Sequence, residues 1–153
     1  MLIMEKRELV IIGAGPAGLA AAVYGRRAGL DTLILEKGIP GGQINITDEI
    51  ENWPGTIHST GSELGETFRK HAEHFKAEFR SCTVQKIDLR DGSKFVVTDS
   101  GEIEAEAIIL ATGASFRKLG CPGEAEFTGA GVSYCAVCDA AFFEGETIAV
   151  VGG

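Results

Sequence analysis

The segment that most restricts the fold of this chain is a glycine-rich one near its start. The pattern G-x-G-x-x-G occupies residues 13–18, directly after a short apolar run at residues 8–12 and at the beginning of an alanine-rich run at residues 16–28. An apolar run that ends in glycine predicts a buried parallel strand, and the alanine-rich run favours a helix. A second apolar run at residues 31–35 completes a βαβ unit. We therefore expect an α/β, Rossmann-like fold.

Each glycine of this pattern has a physical role in binding a dinucleotide. Gly13 permits a tight turn, Gly15 lets the backbone approach a pyrophosphate, and Gly18 allows close packing of helix on strand. The beginning of the helix supplies free N–H groups and a positive dipole end for phosphates. Glu36, at the end of the second strand, is suited to accept hydrogen bonds from a ribose hydroxyl and disfavours a 2′-phosphate, which argues against NADP in this site. The motif by itself does not separate FAD from NAD, and its alternative reading is a glycine turn without a chemical role.

The rest of the chain contains further predicted elements and one long irregular segment. Residues 38–60 are rich in Gly, Pro, Asn and Thr, and a loop of this length is commonly functional or disordered. Apolar residues at helical spacing predict a helix over residues 62–79. Turn signals at Asp91-Gly92 and Ser100-Gly101 separate short strand candidates. The predicted strands after the helix are residues 82–89, 94–98, 101–105, 107–110 and 147–151.

Two cysteines stand close together in the sequence Cys135-Ala136-Val137-Cys138-Asp139. Such a pair can form a small-ring disulfide, and its thiols can have lowered pKa values and exchange with other disulfides. Asp139 is placed to act as an acid or base toward a leaving thiolate. The alternatives are half of a zinc site and an incidental pair, but zinc needs two further ligands, and Cys82 and Cys121 are isolated and far apart. We expect a redox pair and no metal site.

The overall composition excludes several classes of function. The 153 residues include 14 Lys and Arg against 22 Asp and Glu, for a net charge of −8, and no basic stripe is present. Binding to nucleic acid is therefore not expected. No apolar run is long enough to span a bilayer, and the first residues lack the apolar core of a signal peptide. We expect a cytoplasmic protein without membrane association, in which a close cysteine pair is catalytic rather than structural.

A dinucleotide loop followed by a dithiol is the arrangement of flavin disulfide reductases. The chain resembles bacterial-type, low-molecular-weight thioredoxin reductases over essentially its whole length, and the joint order of the motifs is more specific than any one of them. The matching segments are residues 13–18, 41–43, 50–55, 111–113, 135–139 and 148–153. Ala140-Ala141 departs from this pattern, because the family usually has a glycine after the aspartate.

The resemblance implies a set of FAD contacts. The pyrophosphate of FAD would lie at the glycine loop, the adenosine ribose at the end of the second strand, and the flavin near the later Gly and Asn positions. A small β-meander would form between residues 82 and 105, as a third layer beside the parallel sheet and the helices. The implied FAD-binding residues are Gly13, Gly15, Pro16, Ala17, Gly18, Glu36, Lys37, Gly41, Gly42, Gln43, Asn52, Ala111, Thr112 and Gly113.

The resemblance also implies a path for electrons. They would pass from NADPH to FAD, then to the Cys135/Cys138 dithiol, and finally to thioredoxin or a similar small redox protein. Cys138 would face the flavin, Cys135 would attack the disulfide of thioredoxin, and Asp139 would be the acid/base group. The family further suggests a homodimer that alternates between two domain orientations.

The same resemblance divides the chain and leaves alternatives open. Residues 1–115 would be the N-terminal segment of an FAD-binding domain, and residues 116–153 a linker and the start of an NAD(P)H-binding domain. The NADPH site would be incomplete, so we expect a fragment of a protein about twice as long (following length priors for two domains) that is inactive with NADPH by itself. The alternatives are an FAD-binding fragment without turnover, a reductase that uses NADH, ferredoxin or another donor, and an interaction or folding unit without a cofactor.

Overall fold

The computed structural model describes residues 4–139 and 143–152, and the side chains of Val137 and Cys138 lie outside that description. The chain divides into two compact units, Met1–Gly113 and Ala114–Gly153. We call them the N-terminal unit and the C-terminal unit. The assignment of residues 1–115 and 116–153 to an FAD domain and the start of an NAD(P)H domain stays a prediction.

The N-terminal unit is built on one mixed sheet with helices. Its strands run in the order β3-β2-β1-β6-β5-β4. Strands β3, β2, β1 and β6 pair in parallel, whereas β6, β5 and β4 pair antiparallel. The strands are β1 (Glu5–Ile12), β2 (Thr32–Glu36), β3 (Glu78–Ser81), β4 (Val84–Arg90), β5 (Ser93–Thr98) and β6 (Gly101–Leu110). The helices are α1 (Pro16–Arg27), a 3-10 helix (Gly42–Ile46), α2 (Gly61–His74) and, in the C-terminal unit, α3 (Ala136–Asp139).

The second half of strand β1, residues 9–12, is buried on both faces, and its alternating side chains enter two different cores. Leu9 and Ile11 pack with the helices α1 and α2, whereas Val10 and Ile12 pack with residues of the meander such as Val96. The antiparallel strands therefore cover the face of the parallel sheet opposite the helices. This arrangement is the expected Rossmann-like fold with a helix layer, a parallel sheet and a β-meander, and that prediction is confirmed.

The first βαβ unit follows the sequence prediction closely. Strand β1 ends at Ile12, helix α1 begins at Pro16, and β2 ends at Glu36. Proline at the first helical position is favourable because its missing N–H would have no partner inside the helix. The turn between β4 and β5 also forms where expected, with positive φ at both Asp91 and Gly92.

The predicted helix over residues 62–79 is wrong at its C-terminal end, where residues 75–79 are not helical. Helix α2 ends at His74, Lys76 has a left-handed φ of 62°, and Phe79 lies in β3, paired with Ile34 of β2. Phe75 and Phe79 nevertheless pack against the same core as the helix. The helical spacing of apolar residues therefore extends past the end of the helix into a strand, because the helix and the strand both place these residues against one core.

Four of the predicted strands also need correction. Cys82 follows β3 and precedes β4, so the strand expected at 82–89 is shifted to Val84–Arg90. Residues 101–105 and 107–110 form one strand, β6, whose first part pairs with both β1 and β5. Residues 147–152 form no strand, and Val150 is 81% exposed. A strand forms only where a neighbour receives its hydrogen bonds, and none does so here among the described residues.

The described residues contain no helix that is long and apolar enough to cross a membrane.

Candidate functional site

Two glycines of the loop after β1 are wedged against backbone. Gly13 has a φ of 104°, and a β-carbon added there would lie 2.3 Å from the carbonyl oxygen of Ala111. A β-carbon added to Gly18 would lie 1.9 Å from the carbonyl oxygen of Gly13. Any side chain at these two positions would force the backbone apart, so both glycines are required for the sharp bend from β1 into α1. This agrees with the predicted turn and packing roles of Gly13 and Gly18.

Gly15 differs from Gly13 and Gly18 because open space lies beside it. Apart from its own chain neighbours, a β-carbon added there would approach one heavy atom of the described residues within 4 Å, the Cα of Gly42 at 3.9 Å, and the φ of Gly15 is an ordinary −74°. The protein itself therefore does not require glycine at position 15. A requirement for glycine would come from something that approaches the backbone from outside, which is the role predicted for the pyrophosphate of a dinucleotide.

Helix α1 begins at this open position without a cap. Gly15 is its N-cap residue, no side chain caps the helix, and the first turn contains no acidic residue. The first N–H groups of a helix have no partner within the helix and attract anions together with the helix dipole. Pro16 donates no N–H, so Ala17 and Gly18 supply the donors that would face a phosphate.

Glu36 connects the end of β2 to the glycine loop. One carboxylate oxygen accepts the backbone N–H of Ala14 at 2.7 Å, and the other accepts the N–H of Gly38 at 2.8 Å. Each carboxylate oxygen can accept a second hydrogen bond, so two acceptor positions remain for a diol. The side chain is half-buried, and its two backbone bonds hold it beside the loop at which the pyrophosphate would lie.

Two further predicted segments meet the glycine loop. The N–H of Gly41 donates to the carbonyl of Ala14 at 2.7 Å, and a β-carbon on Gly42 would lie 3.0 Å from the Cα of Gly15. On the other side, the N–H of Ala111 donates to the carbonyl of Ile12 at 2.9 Å. The exposed residues Thr112 and Gly113 follow directly, and Gly113 has a φ of 70°.

The residues of this loop region fit a dinucleotide. They combine an uncapped helix beginning, a glycine that faces space, and a fixed carboxylate with remaining acceptor capacity. The structure thus brings together residues 13–18, 36, 41–42 and 111–112. We call this group the glycine cradle.

The other predicted cofactor residues are Lys37, Gln43 and Asn52. Lys37 is exposed directly after Glu36, and Gln43 is exposed in the 3-10 helix. Asn52 is exposed in the loop before α2, next to Trp53, whose ring contacts Phe68 edge-to-face at 5.1 Å. Their roles toward FAD stay predictions.

The cysteine segment lies in the C-terminal unit, at the start of the short helix α3. Cys135 is half-buried and disulfide-bonded, whereas Cys82 and Cys121 are free thiols. The backbone N–H of Asp139 donates to the carbonyl of Cys135 at 3.1 Å, which places the aspartate one helical turn after the first cysteine. Among the described residues, no group of three or more His, Cys, Asp or Glu side chains could hold a metal ion. The side chain of Cys138 lies outside those residues, so the zinc alternative is not tested.

Sequence reasoning missed the residue that organises the approach to this segment. Glu124 is buried, with 6% of its surface exposed, and its carboxylate accepts the backbone N–H groups of Leu119 and Gly120 at 2.8 and 2.6 Å. It also accepts the hydroxyl of Tyr134, the residue before Cys135, at 2.7 Å. The bond from Tyr134, followed by those from the two backbone groups, holds the pKa of Glu124 below its usual range. No local pattern could show this, because the partners lie up to ten residues away.

Comparison with known proteins agrees with this arrangement. The thioredoxin reductase of Bacillus subtilis is 49% identical over 148 residues, which cover 95% of this chain and 46% of that protein. The chain therefore spans about half the length of the curated relatives that it matches. The solved thioredoxin reductase of Streptococcus pyogenes superposes with a TM-score of 0.80 at 48% identity, over 90% of this chain and 45% of that one.

A solved structure with a different name is also similar. The ferredoxin-flavin thioredoxin reductase of Clostridium acetobutylicum has a TM-score of 0.68 at 30% identity, over 92% of this chain and 49% of that one. A family model described as pyridine nucleotide-disulphide oxidoreductase matches residues 7–153 of this chain. With the glycine cradle and the cysteine segment in place, this match shows that the chain belongs to the pyridine nucleotide-disulphide oxidoreductase family.

Proposed function

We propose that this chain provides the FAD-binding cradle and the redox dithiol of a thioredoxin-disulfide reductase. The observation that carries the proposal is the contrast within the cradle: Gly13 and Gly18 are wedged against backbone, whereas Gly15 faces space at an uncapped helix. A purely structural glycine turn would not need glycine at position 15. The similarity to thioredoxin reductases supports the identity of the cofactor and of the disulfide substrate.

In this proposal the cradle holds FAD through its own backbone. The N–H groups of Ala17 and Gly18 would donate to the pyrophosphate, and the carboxylate of Glu36 would accept hydrogen bonds from the hydroxyl groups of the adenosine ribose. Gly42 and Thr112 would lie toward the flavin end. When bound, FAD supplies two-electron chemistry between a reduced donor, NADPH in the proposal, and the dithiol.

The dithiol then reduces the substrate by two exchange steps. The Cys135 thiolate attacks one sulfur of the substrate disulfide, the substrate S–S bond breaks, and the leaving sulfur takes a proton from Asp139. The Asp139 carboxylate next takes the proton of the Cys138 thiol. The Cys138 thiolate attacks the sulfur of Cys135 and releases the second substrate sulfur, which takes that proton. The substrate thus gains two electrons and two protons, and a Cys135–Cys138 disulfide remains for the next reduction.

For the electron donor there are two candidates, NADPH and another donor. The structural similarity to a ferredoxin-flavin thioredoxin reductase favours a donor other than NADPH as that alternative. Residues 147–152 form neither strand nor helix, so they give no basis for assigning a nicotinamide site or a step to them. A third possibility is a chain that binds FAD without turnover of its own.

Titration with FAD tests the cofactor proposal directly. We expect flavin fluorescence to be quenched when the purified chain is added, and the affinity to fall about tenfold or more in Gly15→Ala, whose added methyl group occupies the phosphate position. Gly29→Ala, beyond the other end of α1, is the control, because no atom of the described residues lies within 4 Å of a β-carbon added there. Equal affinity in the Gly15 variant would contradict the cradle.

Turnover assays test the reaction. We expect the full-length protein to reduce thioredoxin with a competent donor and the present chain to be inactive with NADPH by itself. In the full-length protein, Cys138→Ser is expected to retain flavin but to lose electron transfer to the disulfide. Parallel assays with NADPH, NADH and reduced ferredoxin decide the donor. Full activity of Cys138→Ser would refute the assigned dithiol. Size-exclusion chromatography tests the homodimer that we include in the proposal.

A further inference from the structure

Ser133 makes a contact that the proposed reaction has not used. Its hydroxyl donates to the Asp139 carboxylate oxygen Oδ2 at 2.5 Å and accepts the backbone N–H of Cys135 at 3.0 Å. A weaker contact of 3.3 Å joins the same hydroxyl to the carbonyl oxygen of Cys135. One side chain therefore ties the carboxylate of Asp139 to the backbone of Cys135.

A hydroxyl has one proton, so Ser133 can donate in only one of these contacts at a time. The short contact to the carboxylate takes the proton, and the N–H of Cys135 is received by a lone pair of the same oxygen. The two stronger bonds then run in sequence from the Cys135 N–H through the Ser133 oxygen to the carboxylate. The direction is fixed at both ends, because an N–H can only donate and a carboxylate can only accept.

The backbone alone does not fix the carboxylate. The N–H of Asp139 donates to the carbonyl of Cys135, which sets the position of the Asp139 main chain but leaves its side-chain torsions free. An acid/base group must lie within hydrogen-bond reach of the proton that it transfers. The bond from Ser133 supplies this restraint on the side chain.

We propose that Ser133 is a positioning residue that holds the Asp139 carboxylate in place for proton transfer during thiol–disulfide exchange. The inference rests on the proposed function, because it assigns a partner to the acid/base group of that reaction. It predicts that loss of the hydroxyl slows exchange with a substrate whose leaving thiolate needs a proton. The exchange rate should not change for a substrate whose leaving thiolate is a weak base.

Two disulfide probes separate these cases on the chain without flavin. The chain is reduced with dithiothreitol and desalted, and its exchange rate is measured by stopped flow from pH 5 to pH 9 (a working range, about two units either side of neutrality). Oxidised glutathione releases a basic thiolate, whereas an aryl disulfide releases a weakly basic nitrothiobenzoate. All proteins carry Cys121→Ser, because the exposed free thiol of Cys121 would also react.

For Ser133→Ala we expect exchange with oxidised glutathione to slow about tenfold, with the pH profile changed, while exchange with the aryl disulfide stays within about twofold. Ser133→Thr, which keeps the hydroxyl, is expected to restore the rate. In an Asp139→Asn background, Ser133→Ala should cause no further loss. Ser93→Ala is the matched control, because Ser93 also contacts a carboxylate, that of Glu104 at 3.3 Å, and it should leave both rates unchanged.

The outcomes distinguish this inference from the proposed function. If Asp139→Asn does not slow exchange with glutathione, the acid/base assignment itself fails. If Asp139→Asn slows it and Ser133→Ala does not, only the positioning role is overturned. A Ser133→Ala variant that slows both probes equally indicates a general distortion of the segment and also overturns the inference.

Discussion

The two units of the chain are stabilised by different kinds of interaction. In the N-terminal unit, strands and helices enclose two apolar clusters, and every buried apolar side chain among the described residues belongs to this unit. In the described part of the C-terminal unit, Glu124 is the one buried residue. Apolar burial stabilises the first unit, whereas a carboxylate that accepts three hydrogen bonds organises the second.

This contrast agrees with what each unit is proposed to do. A cradle for a dinucleotide must hold backbone N–H groups in place, and close contacts such as that of Gly18 with Gly13 require tight packing. A dithiol that reacts with a flavin and with a protein disulfide must be accessible to both. A short segment held by hydrogen bonds, with little apolar burial, is suited to that exposure.

The largest effect is expected at the tightest point of the N-terminal unit. Gly18→Ala places a methyl group against the carbonyl of Gly13, and we expect the free energy of unfolding to fall by about 3 kcal/mol. Urea denaturation followed by circular dichroism measures this. Gly29→Ala is the control, because nothing lies within 4 Å of its added β-carbon and only the strain of its positive φ remains, about 1 kcal/mol. Equal losses in the two variants would mean that packing at Gly18 is not decisive.

The second effect should be confined to the C-terminal unit. Glu124→Gln replaces a carboxylate that receives three donors by an amide with one acceptor, so we expect the Leu119 and Gly120 amides to exchange hydrogen about tenfold faster. Amides of β1 should be unchanged. Glu126→Gln, at an exposed position two residues later, is the control. Uniform faster exchange in both units would show that the two are not energetically separate.

Acidification should weaken the hydrogen bonds that the Glu124 carboxylate accepts. Because its pKa is lowered in the folded state, the stabilisation by Glu124 is present above its unfolded pKa and is lost as pH falls through the folded one. Exchange of the Leu119 and Gly120 amides relative to those of β1 should therefore increase as pH falls below about 4.5. The Glu124→Gln variant should not show this increase, and its appearance there would point to another titrating group.

A smaller effect is expected at the ion pairs of Glu5 with Arg7 and Arg80, which lie in the strands β1 and β3. Hydrogen bonds from Arg80 lower the pKa of Glu5 to about 2, with Arg7 also contributing. The pair is partly exposed, so we expect Glu5→Gln to cost about 1 kcal/mol or less at pH 7. The difference from the unmodified chain should shrink as pH falls from 4.5 toward 2, since the Glu5 carboxylate itself becomes protonated there. Denaturant curves at several pH values measure it, with the exposed Glu49→Gln as control.

The smallest effect on folding is expected at Gly15. Its φ is ordinary and its surroundings are open, so Gly15→Ala should leave the stability of the flavin-free chain within about 1 kcal/mol and could raise it, since alanine has less freedom when unfolded. The flavin affinity should nevertheless fall, as described above. A variant that loses stability and affinity together would show that Gly15 is structural, like Gly18.

The sequence by itself determined the first βαβ unit, the glycine loop and the spacing of the cysteine pair. These features depend on residues a few positions apart, because strand, turn and helix preferences are local. Glu36 at the end of β2 was found in the same way. The chain could also be placed in its class of fold, since an apolar run on each side of a glycine bend leaves few other arrangements.

Only the tertiary structure decided which local patterns were misleading and which residues act together. Phe79 continues a helical spacing but lies in a strand, because β2 pairs with it there, whereas the apolar run at 147–151 pairs with no strand among the described residues. The difference between Gly15 and Gly18 depends on which atoms the folded chain places beside each glycine. The bonds of Glu124 to Tyr134 and of Ser133 to Asp139 join residues that no regular spacing relates, and such contacts exist only once the chain is folded.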